Sequence, residues 1–223
     1  MEELSRPDDA PLRFGTEAFY ASIGRAFVVM CAVAPVLFLI HVLDWLLVAD
    51  LALAGGLRPR RLDGLDGVLF APFLHASFPH VYANSIPLIL LGTFVLAAGV
   101  RRFLWSTALI MLVSGVGVWL IGDYGTVHVG ASGVIFGYLG LLLTRGLVER
   151  SWWHAAVALL IGVLYGWQVQ GVLPGQDSGI SWEGHLFGFA GGVLAAIVFR
   201  RRRGKAAPEP VLPAIPPDFT LPR

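Results

Sequence analysis

Charge is what this sequence has least of. Asp, Glu, Lys and Arg together make up 14% of 223 residues, against roughly 25% in soluble domains. A globule of this size cannot cover its core with so few charges, so a soluble enzyme is excluded. Disorder is excluded for the bulk of the chain, because 56% of it is hydrophobic and the mean hydropathy is +0.72. A single cysteine, Cys31, allows no internal disulfide framework and no cysteine-based zinc cage. The net charge of +1 lacks the broad basic face that nucleic acid would require. No His-Glu-x-x-His motif is present, and no carboxylate lies in the inner spans near the histidines, so no metal is expected.

What is present is apolar sequence in long runs. Six stretches, roughly 26–48, 78–100, 103–121, 131–144, 152–168 and 182–199, are bounded by charge, Gly, Pro or Trp. Most approach the ~20 residues that cross a ~30 Å hydrocarbon layer, and lipid forces such segments to be helical. The expected fold is therefore an all-α membrane protein, a bundle of six transmembrane helices, with the lipid bilayer as its main partner. All seven tryptophans, Trp45, Trp105, Trp119, Trp152, Trp153, Trp167 and Trp182, lie near span ends, as an interfacial aromatic belt requires. With the N-terminus inside, thirteen basic residues fall on the cytoplasmic side and only Arg58, Arg60 and Arg61 outside. The positive-inside rule then puts both termini in the cytoplasm of a multi-pass plasma (inner) membrane protein. No cleavable signal is visible, so the first span is expected to act as an anchor.

Three regions follow from this division. Residues 1–25 form a polar N-terminal segment, 26–199 the six-helix core, and 204–223, with six prolines, a disordered cytoplasmic tail. The connection 50–77 is expected outside, with Val68-Leu69-Phe70 against the membrane surface.

Polar residues inside the spans need a reason, and ionisable ones are functional candidates. His80 and Asn84 on span two, Ser132 on span four and His185 on span six all fall near the outer ends of their spans. His75 immediately precedes span two. Span four is short, about 21 Å at ~1.5 Å per residue, so the loop 122–130 must dip below the outer surface. Such backbone is tolerated only where protein or a wet cavity lines it.

Ser132 lies in Gly130-Ala131-Ser132-Gly133 at a helix start. One reading is an N-cap or a small-residue packing site. The other is a nucleophile. His185, Gly188 and Gly192 share a helical stripe, and Gly133 and Gly137 form a similar one beside Ser132. Close approach of these faces would bring the hydroxyl to an imidazole, the base that a serine nucleophile requires. His80 and Asn84, one turn apart, together with the Ser132 amide, would then supply oxyanion donors.

At these residues the chain resembles the rhomboid intramembrane serine proteases. The resemblance covers roughly 26–199 and rests on an ordered set of motifs: His75, His80 and Asn84; Gly130-Ala131-Ser132-Gly133 with Gly137; and His185, Gly188 and Gly192. It implies that Ser132 is the nucleophile and His185 the general base of a dyad without an aspartate. It implies His80, Asn84 and Ser132 as the oxyanion hole, and His75, Gly130, Gly133, Phe136 and Gly188 as support. It further implies single-pass transmembrane proteins as substrates and no cofactor. Phe136 stands where many members carry a tyrosine, and the external loop has Arg60-Arg61 with no Trp beside them. A catalytically silent rhomboid-like scaffold or chaperone is the alternative, although such proteins usually lack the serine or the histidine. Glu183, Asp177 and Asp123 are weak third members of a triad, and His128 is expected to be a solvated loop residue.

Overall fold

The computed structural model describes residues 15–48, 50–148, 152–165, 172–174 and 181–200. The polar segment 1–14 and the proline-rich tail 204–223 lie outside the described residues. Among the described residues eight α-helices run in order: α1 (Glu17–Leu47), α2 (Leu51–Gly55), α3 (Gly67–Phe70), α4 (Phe78–Ala97), α5 (Val100–Ile121), α6 (Ser132–Val148), α7 (Trp152–Tyr165) and α8 (Trp182–Val198). Three of them, α1, α4 and α5, are long and apolar enough to cross a membrane, and α6 and α8 are shorter apolar helices. The protein is thus an all-helical, multi-pass membrane protein. Its outer faces carry Val28, Leu39, Trp45, Leu104 and Trp105 exposed, which lipid accepts and water does not.

Helix α6 is the axis of the bundle. It packs against α8, α7, α4 and α5, and every residue from Val134 to Leu142 is buried. Glycine lets its neighbours approach. Gly137 faces Ile110 of α5, and Gly140 faces the backbone of Phe189 on α8. On the other flank α1 packs on α4, where the Met30 side chain fills the space over Gly92.

Three expectations need correction. First, α1 begins at Glu17, not at residue 26. Thr16 caps it by accepting the Phe19 amide, and the Ser22 hydroxyl donates to the Ala97 carbonyl of α4. A cap and a tertiary bond hold two turns that their polarity alone does not mark as membrane helix. Second, Arg145 does not end the helix of span four. It is 6% exposed, α6 continues to Val148, and Arg145 shares a small cavity with Arg102, Ser106 and Phe199. Third, Val68 turns into the protein and packs on Gly115 of α5, while Leu69 and Phe70 stay exposed. Residues 166–168, expected to end the fifth span, lie outside the described residues.

The connection between α1 and α4 is compactly folded over the starts of the inner helices. A small cluster of Leu57, Ala71 and Val118, with Val68 and Trp119, anchors it to α5. Hydrogen bonds reinforce this: the Trp119 ring donates to the Arg61 carbonyl, the Arg60 amide to the Trp119 carbonyl and the Arg60 guanidinium to the Gly122 carbonyl.

Candidate active site

The loop before α6 is held by its backbone. His128 and Leu57 exchange amide bonds of 3.0 and 2.9 Å, and the Gly130 amide donates to the Ala71 carbonyl at 2.9 Å. The first α-helical bond of α6 runs from the Ile135 amide to the Ala131 carbonyl. Ser132 is therefore the first helical residue, and its amide belongs to the turn whose N–H groups have no partner in the helix. The side chain is half-buried and lines a cavity of about 50 Å³, together with Gly130, Gly133, Ser114, His128 and Ser181. A cavity of that size with three hydroxyls and an imidazole on its wall has room for water.

Helix α8 meets α6 backbone to backbone. A Cβ at Gly188 would collide with the Gly133 carbonyl, and one at Gly192 with the Gly137 carbonyl. The Ser114 hydroxyl of α5 donates to the Gly184 carbonyl at 2.9 Å and holds the start of α8. This contact sets the His185 ring flat on the Phe136 ring, with centroids 4.0 Å apart and planes 10° apart. Phe136 lies one turn after Ser132 on the same face of α6. The stack therefore brings the imidazole to the end of α6 that carries the serine. Among the described residues no hydrogen bond joins the Ser132 hydroxyl to His185. The phenyl ring supplies the packing expected of this position without a hydroxyl.

Helix α4 brings the third group. Ser77 caps it by accepting the His80 amide at 3.3 Å. His80 and Asn84 then project, one turn apart, onto Gly130. A Cβ there would lie 2.7 Å from the His80 Nε2 and 3.4 Å from the Asn84 Nδ2. Gly130 has φ +115, so glycine is required both for conformation and for space. Asn84 is 5% exposed, and its Nδ2 donates to no acceptor among the described residues. A buried amide donor without a partner is costly, and this one lies against the turn that precedes Ser132.

His75 sits behind His80, edge to face, with ring centroids 5.0 Å apart. It is 2% exposed and neither of its ring nitrogens has a partner among the described residues. Burial, with the nearby His80, pushes its pKa down to about 4, so the ring is neutral and serves as packing.

His128 is not a solvated loop residue. Its Nδ1 is 2.8 Å from the Ser181 hydroxyl and its Nε2 2.8 Å from the Thr126 hydroxyl. Ser181 in turn donates to Glu183 at 3.3 Å. Asp123 meets Thr126 through its backbone carbonyl. Sequence reading misses this cluster because its halves lie fifty-three residues apart, and Ser181 alone reads as a helix cap.

Residues 64–202, more than half of the chain, match the Rhomboid domain family. An uncharacterized protein of Mycobacterium tuberculosis is 44% identical over 177 residues, covering 76% of this chain and 73% of its own length. A second, from Mycobacterium leprae, is 41% identical over 167 residues, covering 72% and 66%. RHOMBOID-like protein 1 of Arabidopsis thaliana is 31% identical over 156 residues, covering 61% of this chain and 38% of its own. The chain belongs to the rhomboid family.

Proposed function

We propose that this chain is an intramembrane serine protease that hydrolyses peptide bonds of single-pass transmembrane proteins. The observation that carries the reading is the His185 ring stacked on Phe136, one turn from Ser132, where the α6 and α8 backbones touch. In this mechanism His185 removes the Ser132 hydroxyl proton as Oγ attacks the scissile carbonyl. The proton then passes to the leaving amine. Water, deprotonated by the same imidazole, hydrolyses the acyl-enzyme. His80, the Asn84 amide and the Ser132 N–H stabilise the oxyanion in both steps. Hydrogen bonds of a catalytic pair are commonly long before substrate arrives, which accommodates the open Ser132–His185 pair.

The six apolar helices α1, α4, α5, α6, α7 and α8 are read as six spans, with 26–199 as the protease core. The site opens to the outside of a plasma membrane and both termini are cytoplasmic. The 17 residues of α6 span about 25 Å, less than the ~30 Å hydrocarbon layer, so Ser132 lies below the outer surface. No metal or cofactor enters the mechanism.

The test is labelling of the solubilised chain by a serine-reactive fluorophosphonate, together with cleavage of a helical transmembrane substrate. Ser132→Ala and His185→Ala should each abolish cleavage, and Ser132→Ala should abolish labelling. An intact chain that is neither labelled nor active is a scaffold, and the protease reading then fails.

A further inference from the structure

Four hydrogen-bonded contacts run in a line from the loop before Ser132 to the start of α8. The Thr126 hydroxyl donates to the Asp123 carbonyl at 2.6 Å, and Thr126 also meets the His128 Nε2 at 2.8 Å. The His128 Nδ1 meets Ser181 at 2.8 Å, and Ser181 donates to the Glu183 carboxylate at 3.3 Å. Ser181 further accepts the Gly184 amide at 3.2 Å. The line joins the element that presents Ser132 to the one that presents His185, and His128 and Ser181 share a cavity wall with Ser132.

Counting hydrogens decides the state of the imidazole. A hydroxyl has one hydrogen to donate. That of Thr126 goes to a carbonyl and that of Ser181 to Glu183, and neither acceptor can donate while Glu183 is ionised. Both hydroxyl oxygens therefore face the ring as acceptors, and both ring nitrogens must carry hydrogen. Four contacts need four hydrogens, and only the imidazolium supplies two of them. A neutral ring with hydrogen on Nδ1 forces Thr126 to abandon the Asp123 carbonyl, or leaves two lone pairs facing each other. A neutral ring with hydrogen on Nε2 takes the Ser181 hydrogen away from Glu183. Glu183 is only 6% exposed, and a buried carboxylate calls for a counter-charge.

We propose that His128 is a positioning residue, a clasp that closes when its imidazole is protonated and opens by one hydrogen bond when it is neutral. Its effect on cleavage rests on the protease reading; the clasp itself does not. The charged groups around it are Glu183 on α8, Asp123 in its own loop, and Arg60, whose guanidinium binds the neighbouring Gly122 carbonyl. His185 lies two residues beyond Glu183. The facing stretch of α5, Val116 to Ile121, and the start of α6 bring no charge. Glu183 and Asp123 favour the cation, but burial outweighs them and lowers the pKa from its ordinary value. The clasp therefore closes on the acid side of 6.5.

Nitrogen-15 spectra of the full chain in micelles, without substrate, follow the His128 ring between pH 8 and pH 5. Its signals are identified by their loss in His128→Gln. The ring should gain its second proton in this interval. Exchange of the Gly130 and Gly184 amides, corrected for intrinsic pH dependence, should slow about fivefold as it does, the worth of one net hydrogen bond. Glu183→Gln should move the midpoint to lower pH, since the carboxylate favours the cation. His128→Gln should make the exchange ratio flat with pH. A ring that stays neutral to pH 5, or one that titrates with no change in exchange, overturns the proposal. Where Glu183→Gln does not fold, the unmodified chain decides alone. In an active chain, kcat for His128→Gln should lose a component of its pH profile while KM changes little. Absence of any cleavage would sink the protease reading and leave the clasp standing on the spectra.

Discussion

Gly188→Ala puts one methyl group where α6 and α8 have no room for it. The new Cβ would point at the Gly133 carbonyl oxygen, a backbone atom that cannot rotate away. To reach ordinary contact the two helices must part by about 1 Å. Overpacking of this kind destabilises by roughly 1–3 kcal/mol, so the chain should still fold. Catalysis is the more sensitive reporter. The separation moves His185, one turn from Gly188, away from Ser132, and a 1 Å misplacement costs about 100-fold in rate. The expected outcome is kcat for a transmembrane substrate, and the rate of fluorophosphonate labelling, both down about 100-fold with KM little changed. Gly162→Ala is the control. Its Cβ would meet only the Leu143 side chain, at 3.8 Å, and should leave both rates untouched. Folded Gly188→Ala that labels and cleaves at the parental rate would refute the idea that this backbone contact sets the catalytic pair.

Asn84→Ala removes the buried donor beside Gly130 and should slow cleavage about 10²–10³-fold, less than loss of either Ser132 or His185; a change confined to KM would place Asn84 in binding instead. Gly130→Ala forces a side chain into a φ of +115 and against the His80 ring; thermal unfolding should show about 1–3 kcal/mol of lost stability, with cleavage reduced as well. His75 sets an acid limit. Its folded pKa of about 4 lies below its unfolded 6.5, so its neutral form is the one that folding favours. Its contribution is complete above pH 6.5 and is lost as pH falls from there towards 4, by about 2–3 kcal/mol. His75→Gln should flatten this part of the stability curve, and parallel curves for parent and variant would reject it.

Much of the site was legible because its logic is local. His80 and Asn84 share a face by helical spacing alone, and both reach Gly130. The Gly188 and Gly192 stripe announces close packing, and the helix it meets is the one carrying Gly133 and Gly137. Phe136, four residues after Ser132, lies on the expected ring. What escaped depends on partners distant in sequence. The first two turns of α1 look polar until Ser22 is seen bonded to Ala97. Arg145 looks like a boundary until Leu141 and Phe199 close around it. His128 looks solvated until Leu57 takes its backbone and Ser181 its ring.

These misses share a physical cause. A periodic pattern reports which face of a helix is apolar, but a polar group is assigned by whatever satisfies its hydrogen bonds. Ser181 shows how far this goes. As a helix cap it accepts the Gly184 amide, which the sequence alone can suggest. Its oxygen and hydrogen also link His128 to Glu183, which only the fold reveals. The same economy is forced on the whole end of the bundle that carries Ser132. There the starts of α6 and α8 and the end of α5 line a cavity of about 50 Å³, with little room for side chains of single purpose. Lipid around the bundle supplies no hydrogen bonds. A polar residue placed there must therefore be satisfied by protein, by cavity water or by a substrate. The Asn84 amide is one such group left without a partner among the described residues, and Ser132 lines that cavity. They flank Gly130, and a peptide carbonyl brought to that point would meet both.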